Sequence, residues 1–161
     1  MEQLIIHGGA GSLEGKLAEA QVMHDSLCKI WEESFALLQK GTAEETVRHA
    51  IRMLEDDPIF NAGTGSKLQA DGQVRMSSAL MDGTNNRFSG VINVQNIRNP
   101  IEAAALLSKE EHTVLSADQA TDFCRRHGMA EYDPVTPERL EEYEKRCSGK
   151  HGTVGADRKS V

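Results

Sequence analysis

The residue types best suited to chemistry lie in one stretch near the C-terminus, His151-Gly152-Thr153-Val154-Gly155-Ala156. A threonine within a chain is a poor nucleophile. If the Gly152–Thr153 bond were cut, Thr153 would gain a free α-amine, with a pKa near ~7.7–8.0, that can act as base for its own hydroxyl. Glycine suits the preceding position because it leaves the carbonyl open to approach. Taken alone, the stretch favours a loop that enters a strand, with a self-activated threonine as the alternative.

A second stretch with chemical potential is Phe60-Asn61-Ala62-Gly63-Thr64-Gly65, which follows Pro58. Its small residues allow backbone carbonyls and the Asn61 amide to point at a common site. Rings of carbonyl oxygens prefer hard cations. A tight connection between two elements explains the same composition, and composition does not choose between them.

The glycine-rich stretch from His7 to Gly11 matches no nucleotide-binding motif. A phosphate-binding loop would need glycine where Ala10 stands, and Ser or Thr where Leu17 follows Lys16. In the dinucleotide motif the third glycine would fall on Glu14. A sterically required turn and an anion or active-site contact remain equally open. The six histidines show no metal-ligand spacing.

Composition excludes several classes of function. The net charge is −7, without a basic stripe, so we expect no nucleic-acid partner. Three widely spaced cysteines, Cys28, Cys124 and Cys147, indicate reduced thiols. No signal peptide or membrane span is expected, so we predict a cytoplasmic protein with no membrane partner.

These residues need elements to position them, and the apolar spacing predicts both helices and strands. We expect a buried strand at 4–6, a helix over 17–39, and a second helix that starts at a capping box formed by Thr42 and Glu45. Asp71-Gly72 predicts a hairpin, and a further strand follows at 90–94. Helices are then expected after Asn99-Pro100, near Ser116 and after Thr136, with a short strand at 113–115. The fold class is α+β.

The order of the motifs resembles the plant-type asparaginase and isoaspartyl peptidase family of N-terminal-nucleophile hydrolases. The matching stretches cover nearly all of residues 4–156. They are Ile6 to Gly11, Leu54-Glu55 with Pro58, Phe60 to Gly65, Met81-Asp82-Gly83, Gly90-Val91, Asn99-Pro100, and His151 to Ala156.

The resemblance implies an αββα sandwich and a precursor that cuts itself before Thr153. Thr153 would then be the nucleophile, its amine the base, and Asn61 a neighbour of the nucleophile. The substrates implied are small molecules: L-asparagine and β-aspartyl dipeptides. No cofactor is expected apart from a structural sodium ion, and family members are usually homo-oligomers. The carbonyls expected to hold sodium belong to Leu54, Glu55, Asp57, Phe60, Ala62 and Thr64.

The chain departs from the family pattern at Asp157. We therefore expect residues 1–152 to be the part of a precursor that precedes the nucleophile, called here the α-part, and 153–161 to be a stub of the following β-part. Such a truncated chain is expected to be inactive by itself and prone to aggregate. The alternatives are a non-catalytic protein that binds a full-length relative and, less favoured, phosphate binding by the glycine turn.

Overall fold

The computed structural model describes residues 2–10 and 16–149, and this part of the chain contains five helices and three strands. They are α1 (Leu17–Leu38), α2 (Ala43–Asp56), β1 (Met76–Asp82), β2 (Arg87–Val94), α3 (Pro100–Leu107), β3 (Val114–Ser116), α4 (Ala117–Arg126) and α5 (Pro137–Ser148). Because the described residues contain both helices and strands, the structure confirms the expected α+β class, as a partial domain.

Two helix starts form as the sequence predicts. Thr42 Oγ1 accepts a hydrogen bond from the Glu45 backbone N at 3.2 Å, and Glu45 Oε2 accepts one from the Thr42 backbone N at 2.9 Å. This is the complete capping box of α2. At α5, Thr136 Oγ1 accepts from the Arg139 backbone N at 3.4 Å, and Pro137 occupies the first helical position.

The three strands form one sheet in the order β1-β2-β3. β1 and β2 are antiparallel and joined by a turn, so that Asp82 pairs with Arg87. β3 is parallel to β2 because α3 carries the chain back across the sheet before β3 begins. The Asp71-Gly72 turn also forms, with Gln69 N donating to Gln73 O at 2.8 Å, but residues 67–70 belong to no strand.

One face of the sheet carries the main core. The buried side chains of β1 and β2, among them Leu80, Val91 and Val94, contact α3 and α4. The other face is open within the described residues. Its large apolar side chains are 44–56% exposed; they are Met81, Phe88, Ile92 and Val114.

The predicted N-terminal strand does not form. Residues 2–10 have no regular structure, and the Ile5 side chain is 92% exposed. The segment is held instead by a hydrogen bond and by apolar packing. Trp31 Nε1 on α1 donates to Leu4 O at 3.1 Å, and Ile6 packs against the cluster of Ile30, Ala50 and Phe60. A strand requires a neighbouring strand for its backbone groups, and no strand among the described residues pairs with this segment.

The cysteines are free thiols in two different environments. Cys28 on α1 and Cys147 on α5 are exposed, whereas Cys124 on α4 is fully buried. Burial raises the pKa of the Cys124 thiol because it disfavours the charged thiolate. Among the described helices, none combines the length and apolar character that crossing a membrane requires.

Candidate active site

Asn61 and the glycine-rich N-terminal segment, far apart in sequence, meet in one cleft of about 740 Å³. The cleft is lined on one side by residues 7–10 and on the other by residues 59–62. Its remaining walls come from the start of α1, from Leu54 and Lys67, and from the first turns of α5. The two stretches that the sequence analysis singled out on either side of α1 and α2 therefore share a site.

The Asn61 side chain is oriented by the loop that carries it. Its Oδ1 accepts a hydrogen bond from the Lys67 backbone N at 2.8 Å. This contact restrains the side chain and places its carbonyl oxygen toward Lys67 N. The amide nitrogen brings two donors to a cleft-lining residue, which is what a developing negative charge on a substrate requires.

Gly8 allows the N-terminal segment to lie against the floor of the cleft. A Cβ at this position would be 2.8 Å from Phe60 Cε1, closer than real Cβ contacts, and 3.0 Å from Leu27 Cδ2, at their lower limit. His7 turns the segment, since its Nδ1 accepts from the Gly9 backbone N at 3.3 Å. Two explanations for these glycines were open, a steric requirement and a contact with an anion or active site. The close approach of Gly8 to Phe60 supports the steric requirement.

The charged residues of the cleft were not found by the sequence analysis. Glu142 on α5 forms ion pairs with Lys67 Nζ and with Arg139 Nη1, both at 2.9 Å, and Lys16 pairs with Glu19 at 3.0 Å. No spacing rule connects Lys67 with a helix seventy residues later. Within the described ranges, each Lys or Arg lining the cleft already has a carboxylate partner.

The expected cation loop wraps back over the C-terminal end of α2. Thr64 N donates to Glu55 O at 2.7 Å, and Phe60 N donates to Asp57 O at 3.2 Å. Gly63, with φ +53°, lies so close that a Cβ would be 2.2 Å from Glu55 O. Only glycine fits this position, because both its backbone conformation and the space beside it exclude a side chain.

The same loop is tied to its surroundings through Asp57. Ser26 Oγ on α1 donates to Asp57 Oδ2 at 2.6 Å, and the Ile59 backbone N donates to Oδ1 at 3.1 Å. The first bond joins the loop to α1 and the second stabilises its first turn. The loop is therefore fixed from both sides next to Asn61.

The chemistry of this loop fits a hard cation. The last turn of α2 contains no basic residue, and its terminal carbonyls lie at the negative end of the helix dipole. Each carbonyl oxygen has two lone pairs, so those of Glu55 and Asp57 retain one after accepting a backbone hydrogen bond. All six carbonyls expected to bind sodium belong to the last turn of α2 and this loop. They are those of Leu54, Glu55, Asp57, Phe60, Ala62 and Thr64.

The Glu55 side chain is a second feature that the sequence did not reveal. It is 3% exposed, and its Oε1 accepts from the Ile101 backbone N at 3.0 Å, which caps α3. Oε2 has no hydrogen-bond partner among the described residues. Burial is the main cause that raises the pKa of this carboxyl to about 8, so the group is mostly neutral at pH 7.

The predicted nucleophile and its cleavage site, Thr153 and Gly152, lie outside the described residues. The described chain continues to Gly149, just after α5. Since α5 contributes Arg139 and Glu142 to the cleft, the element nearest in sequence to Thr153 borders the same cleft as Asn61. Their predicted catalytic roles remain predictions.

The family model and the curated relatives that match this chain all carry the description asparaginase. The family model described as asparaginase matches residues 1–159. An isoaspartyl peptidase/L-asparaginase of Synechocystis is 45% identical over 144 residues, covering 88% of this chain and 43% of the relative. One from Nostoc is 46% identical over 143 residues, with 88% and 45% covered, and a plant-type L-asparaginase of Pyrococcus horikoshii is 38% identical over 147 residues, with 89% and 47% covered. The chain spans about half the length of these curated relatives.

Proposed function

Because this chain belongs to the asparaginase family, we propose that it is the first part of a threonine-nucleophile hydrolase of L-asparagine and β-aspartyl dipeptides. The observation that carries the proposal is the family match across residues 1–159, which includes the Gly152–Thr153 bond. The names of the Synechocystis and Nostoc relatives supply the two substrate types. The cleft with its oriented Asn61 is the site on which the proposal acts.

In this proposal the Thr153 hydroxyl oxygen attacks the side-chain carbonyl of the substrate, and ammonia or the β-linked amino acid leaves with a proton. A water then hydrolyses the resulting ester, which releases aspartate and restores the hydroxyl. The α-amine of Thr153, freed when one water is added across the Gly152–Thr153 bond, takes the hydroxyl proton. Asn61 supports the nucleophile or the developing oxyanion through its amide donors. The role is consistent with a side chain whose orientation is set by Lys67 N.

The substrate's α-carboxylate needs a cation, and the lining residues do not supply an unpaired one within the described ranges. We therefore assign that role to the portion found in the longer relatives. The chain is then the α-part over residues 1–152, and Thr153 begins the β-part. Hydrolysis of substrate would require both parts, whereas the Gly152–Thr153 bond itself lies within this chain.

An αββα sandwich is the architecture proposed for the complete protein. The supporting observation is the open face of the sheet, where Met81, Phe88, Ile92 and Val114 form an apolar surface without a covering layer among the described residues. A second sheet is the usual partner of such a face. The unpaired N-terminal segment at 2–10 fits the same interpretation, as a strand whose neighbour belongs to the β-part.

We propose that sodium is held by the six carbonyls around the end of α2. When bound, the ion would supply positive charge that fixes the loop carrying Asn61. The residues of this chain do the rest: Glu55 O and Asp57 O hold the loop by backbone hydrogen bonds, and Gly63 permits its close return. Assembly into a homo-oligomer is proposed from family membership alone.

The first test is self-cleavage. The purified chain is incubated at neutral pH and its intact mass is followed. We expect loss of the peptide from Thr153 to Val161, and no loss in Thr153→Ala, which lacks the hydroxyl nucleophile. Thr136→Ser, a conservative change at the cap of α5, is the matched control and should cleave normally. A wild-type chain that stays intact would contradict self-cleavage by these residues.

The second test is hydrolysis. Residues 1–156 are fused to the part of the Synechocystis relative that follows its matched region, so that Thr153 stays attached to that part after cleavage. Aspartate release is then measured from L-asparagine and from a β-aspartyl dipeptide. We expect release with the wild-type chain and at least ~10²-fold less with Asn61→Ala, the scale of losing one oxyanion donor. Release that is equal with Thr153→Ala would exclude the threonine mechanism. If no release occurs but the unfused chain co-purifies with a full-length relative, the non-catalytic binding alternative is favoured.

A further inference from the structure

One side chain from outside the cleft, that of Tyr132, contacts the loop over residues 57–65, called here the cation loop. Tyr132 Oη lies 2.9 Å from Thr64 Oγ1, and either hydroxyl can donate to the other. Both residues are partly buried. The two residues are 68 positions apart, so this contact depends on the fold and on no local sequence pattern.

A second hydrogen bond joins the same two segments. The Gly65 backbone N donates to Pro134 O at 2.8 Å. The peptide that links Thr64 to Gly65 is planar and trans, so its N–H and its C=O point in opposite directions. The Thr64 carbonyl therefore points away from Pro134, and it accepts no hydrogen bond among the described residues. The direction of this carbonyl, one of the six expected to hold sodium, is thus set from the side of Tyr132 and Pro134.

Residues 132–134 have anchors of their own in the sheet and in α4. Tyr132 N donates to Asn96 O, two residues after β2, at 2.9 Å. Arg125 Nη2 on α4 donates to the same carbonyl at 2.6 Å. Pro134 is fully buried. Because this segment is attached independently of the cation loop, it can hold the loop in place.

The Tyr132 ring also connects to the end of α2. The Arg98 guanidinium carbon lies 5.6 Å from the ring centre, and Arg98 Nε donates to Asp56 Oδ1 at 2.8 Å. Asp56 is the last residue of α2, and Thr64 N donates to Glu55 O beside it. These contacts form a closed circuit that runs from α2 through Arg98, Tyr132 and Thr64 back to α2. A rotation of the Thr64 carbonyl would disturb this circuit.

We propose that Tyr132 is a positioning residue for sodium binding, whose hydroxyl acts through Thr64 Oγ1 to hold the Thr64 carbonyl in its binding direction. The proposal rests on the proposed sodium site and adds to it a residue that is not a ligand. A preorganised ligand binds more tightly, because less free energy is spent on ordering it. Loss of the Tyr132 hydroxyl should therefore weaken sodium binding although all six carbonyls remain.

The test is the sodium affinity of the whole chain, which contains all six carbonyls. Sodium chloride replaces choline chloride at constant ionic strength, and binding is followed by the sodium NMR line width. We expect Tyr132→Phe, which keeps the ring beside Arg98, to need roughly two- to tenfold more sodium for half-saturation, the range for one hydrogen bond. The matched control is Tyr143→Phe. Its hydroxyl donates to Ala70 O at 3.4 Å, outside the cation loop, so the control should bind sodium as wild type does.

A double-mutant cycle tests whether Tyr132 acts through Thr64. Thr64→Val removes the other hydroxyl and nearly keeps the shape of the side chain, so it should weaken sodium binding by a similar factor. The double variant Tyr132→Phe/Thr64→Val should bind no more weakly than either single variant, because both changes remove the same contact. Losses that multiply in the double variant would show two separate effects and overturn the proposal.

A measurement without sodium separates positioning from general stability. In choline chloride, we expect the Gly65 amide to exchange its hydrogen faster in Tyr132→Phe than in wild type, and at the wild-type rate in Tyr143→Phe. Unchanged exchange in Tyr132→Phe would mean that the hydroxyl does not hold this peptide. An equal loss of sodium affinity in both tyrosine variants would assign the effect to stability. Either result would overturn the positioning role.

The failures of the two proposals are distinguishable. A wild-type chain that binds no sodium contradicts the proposed sodium site, and with it the role of Tyr132. Wild-type sodium affinity in Tyr132→Phe keeps the site and rejects the role of Tyr132. Self-cleavage and substrate hydrolysis are tested separately, so neither result decides the threonine mechanism.

Discussion

The carboxyl of Glu55 joins the end of α2 to the start of α3. It is buried and caps α3 through Ile101 N, yet its second oxygen has no partner among the described residues. A charged carboxylate in such surroundings costs much more than a neutral acid, and for this reason its pKa rises from 4.5 to about 8. The proton on this group is thus part of the folded structure at neutral pH.

This carboxyl predicts how stability changes with pH. Between about pH 4.5 and 8 the folded chain keeps a proton on Glu55 that the unfolded chain releases. The stabilisation that this proton gives the folded chain is therefore complete below about pH 4.5 and is lost as the pH rises through 8. The free energy of unfolding should fall by up to about 1.4 kcal/mol per pH unit in this window. Glu55→Gln keeps an acceptor for Ile101 N but cannot ionise, so it should remove this part of the slope.

The measurement is denaturant unfolding at pH 5, 6, 7 and 8. Glu44→Gln, on the exposed part of the same helix, is the control and should retain the wild-type slope. A Glu55→Gln chain with the same pH dependence as wild type would mean that the buried carboxyl is not the group that titrates.

At the residue scale, the sequence predicts functional residues that belong to a short contiguous motif. Asn61 and the glycines around it carry a recognisable motif, and the structure places them in a cleft with residues 7–10. Glu55 shows the limit. Its carbonyl was predicted through the family resemblance, but its side chain appears in the sequence as one more acidic residue in a helix. Burial of that side chain depends on α3, which begins 45 residues later.

At the scale of elements, the capping box of α2 offers a clean test. Thr42→Ala removes the oxygen that accepts from Glu45 N and should destabilise the chain by about 1 kcal/mol, within a range of roughly 0.5–2. Thr42→Ser keeps that oxygen and should cost far less. Urea unfolding at pH 7 measures both. Equal loss in the two variants would assign the effect to packing of the threonine methyl group rather than to the cap.

Helices were predicted well because their signals are local. Caps at Thr42 and Thr136 and the apolar spacing of α1 depend on residues within one or two turns. Strands depend on partners distant in sequence. The 4–6 segment has the composition of a buried strand but no partner among the described residues, and the parallel register of β3 with β2 depends on where α3 returns the chain. Neither the missing partner of 4–6 nor the parallel register of β3 can be predicted from the residues of the segment alone.

At the scale of the whole molecule, the open sheet face governs behaviour in solution. Phe88 lies opposite Met81 on this face, and both are about half exposed. Contiguous apolar surface of this kind promotes association. Phe88→Lys should therefore reduce self-association, measured by light scattering against concentration, and leave the melting temperature within a few degrees of wild type. The control is Leu140→Lys, an exposed apolar residue on α5 away from the sheet. Equal improvement in both variants would point to net charge instead.

The cleft is also a property of the whole molecule. Its polar network joins Lys67 to Glu142, 75 residues later, and to Arg139, which pairs with Glu142 one turn away on α5. The motif residues are recognisable in the sequence, whereas these charged residues on the other side of the cleft are not. These charged residues meet only because α5 lies against residues 65–70. Arg139 Nε donates there to Gly65 O, and Arg146 Nη2 donates to Leu68 O.

The distribution of the three thiols allows a distance between α1 and α5 to be measured on the native chain. Cys28 and Cys147 are accessible to a maleimide dye, while Cys124 is enclosed in the core and its thiolate is disfavoured. Energy transfer between dyes on the native chain would therefore report the separation of the first and last helices without any engineered cysteine.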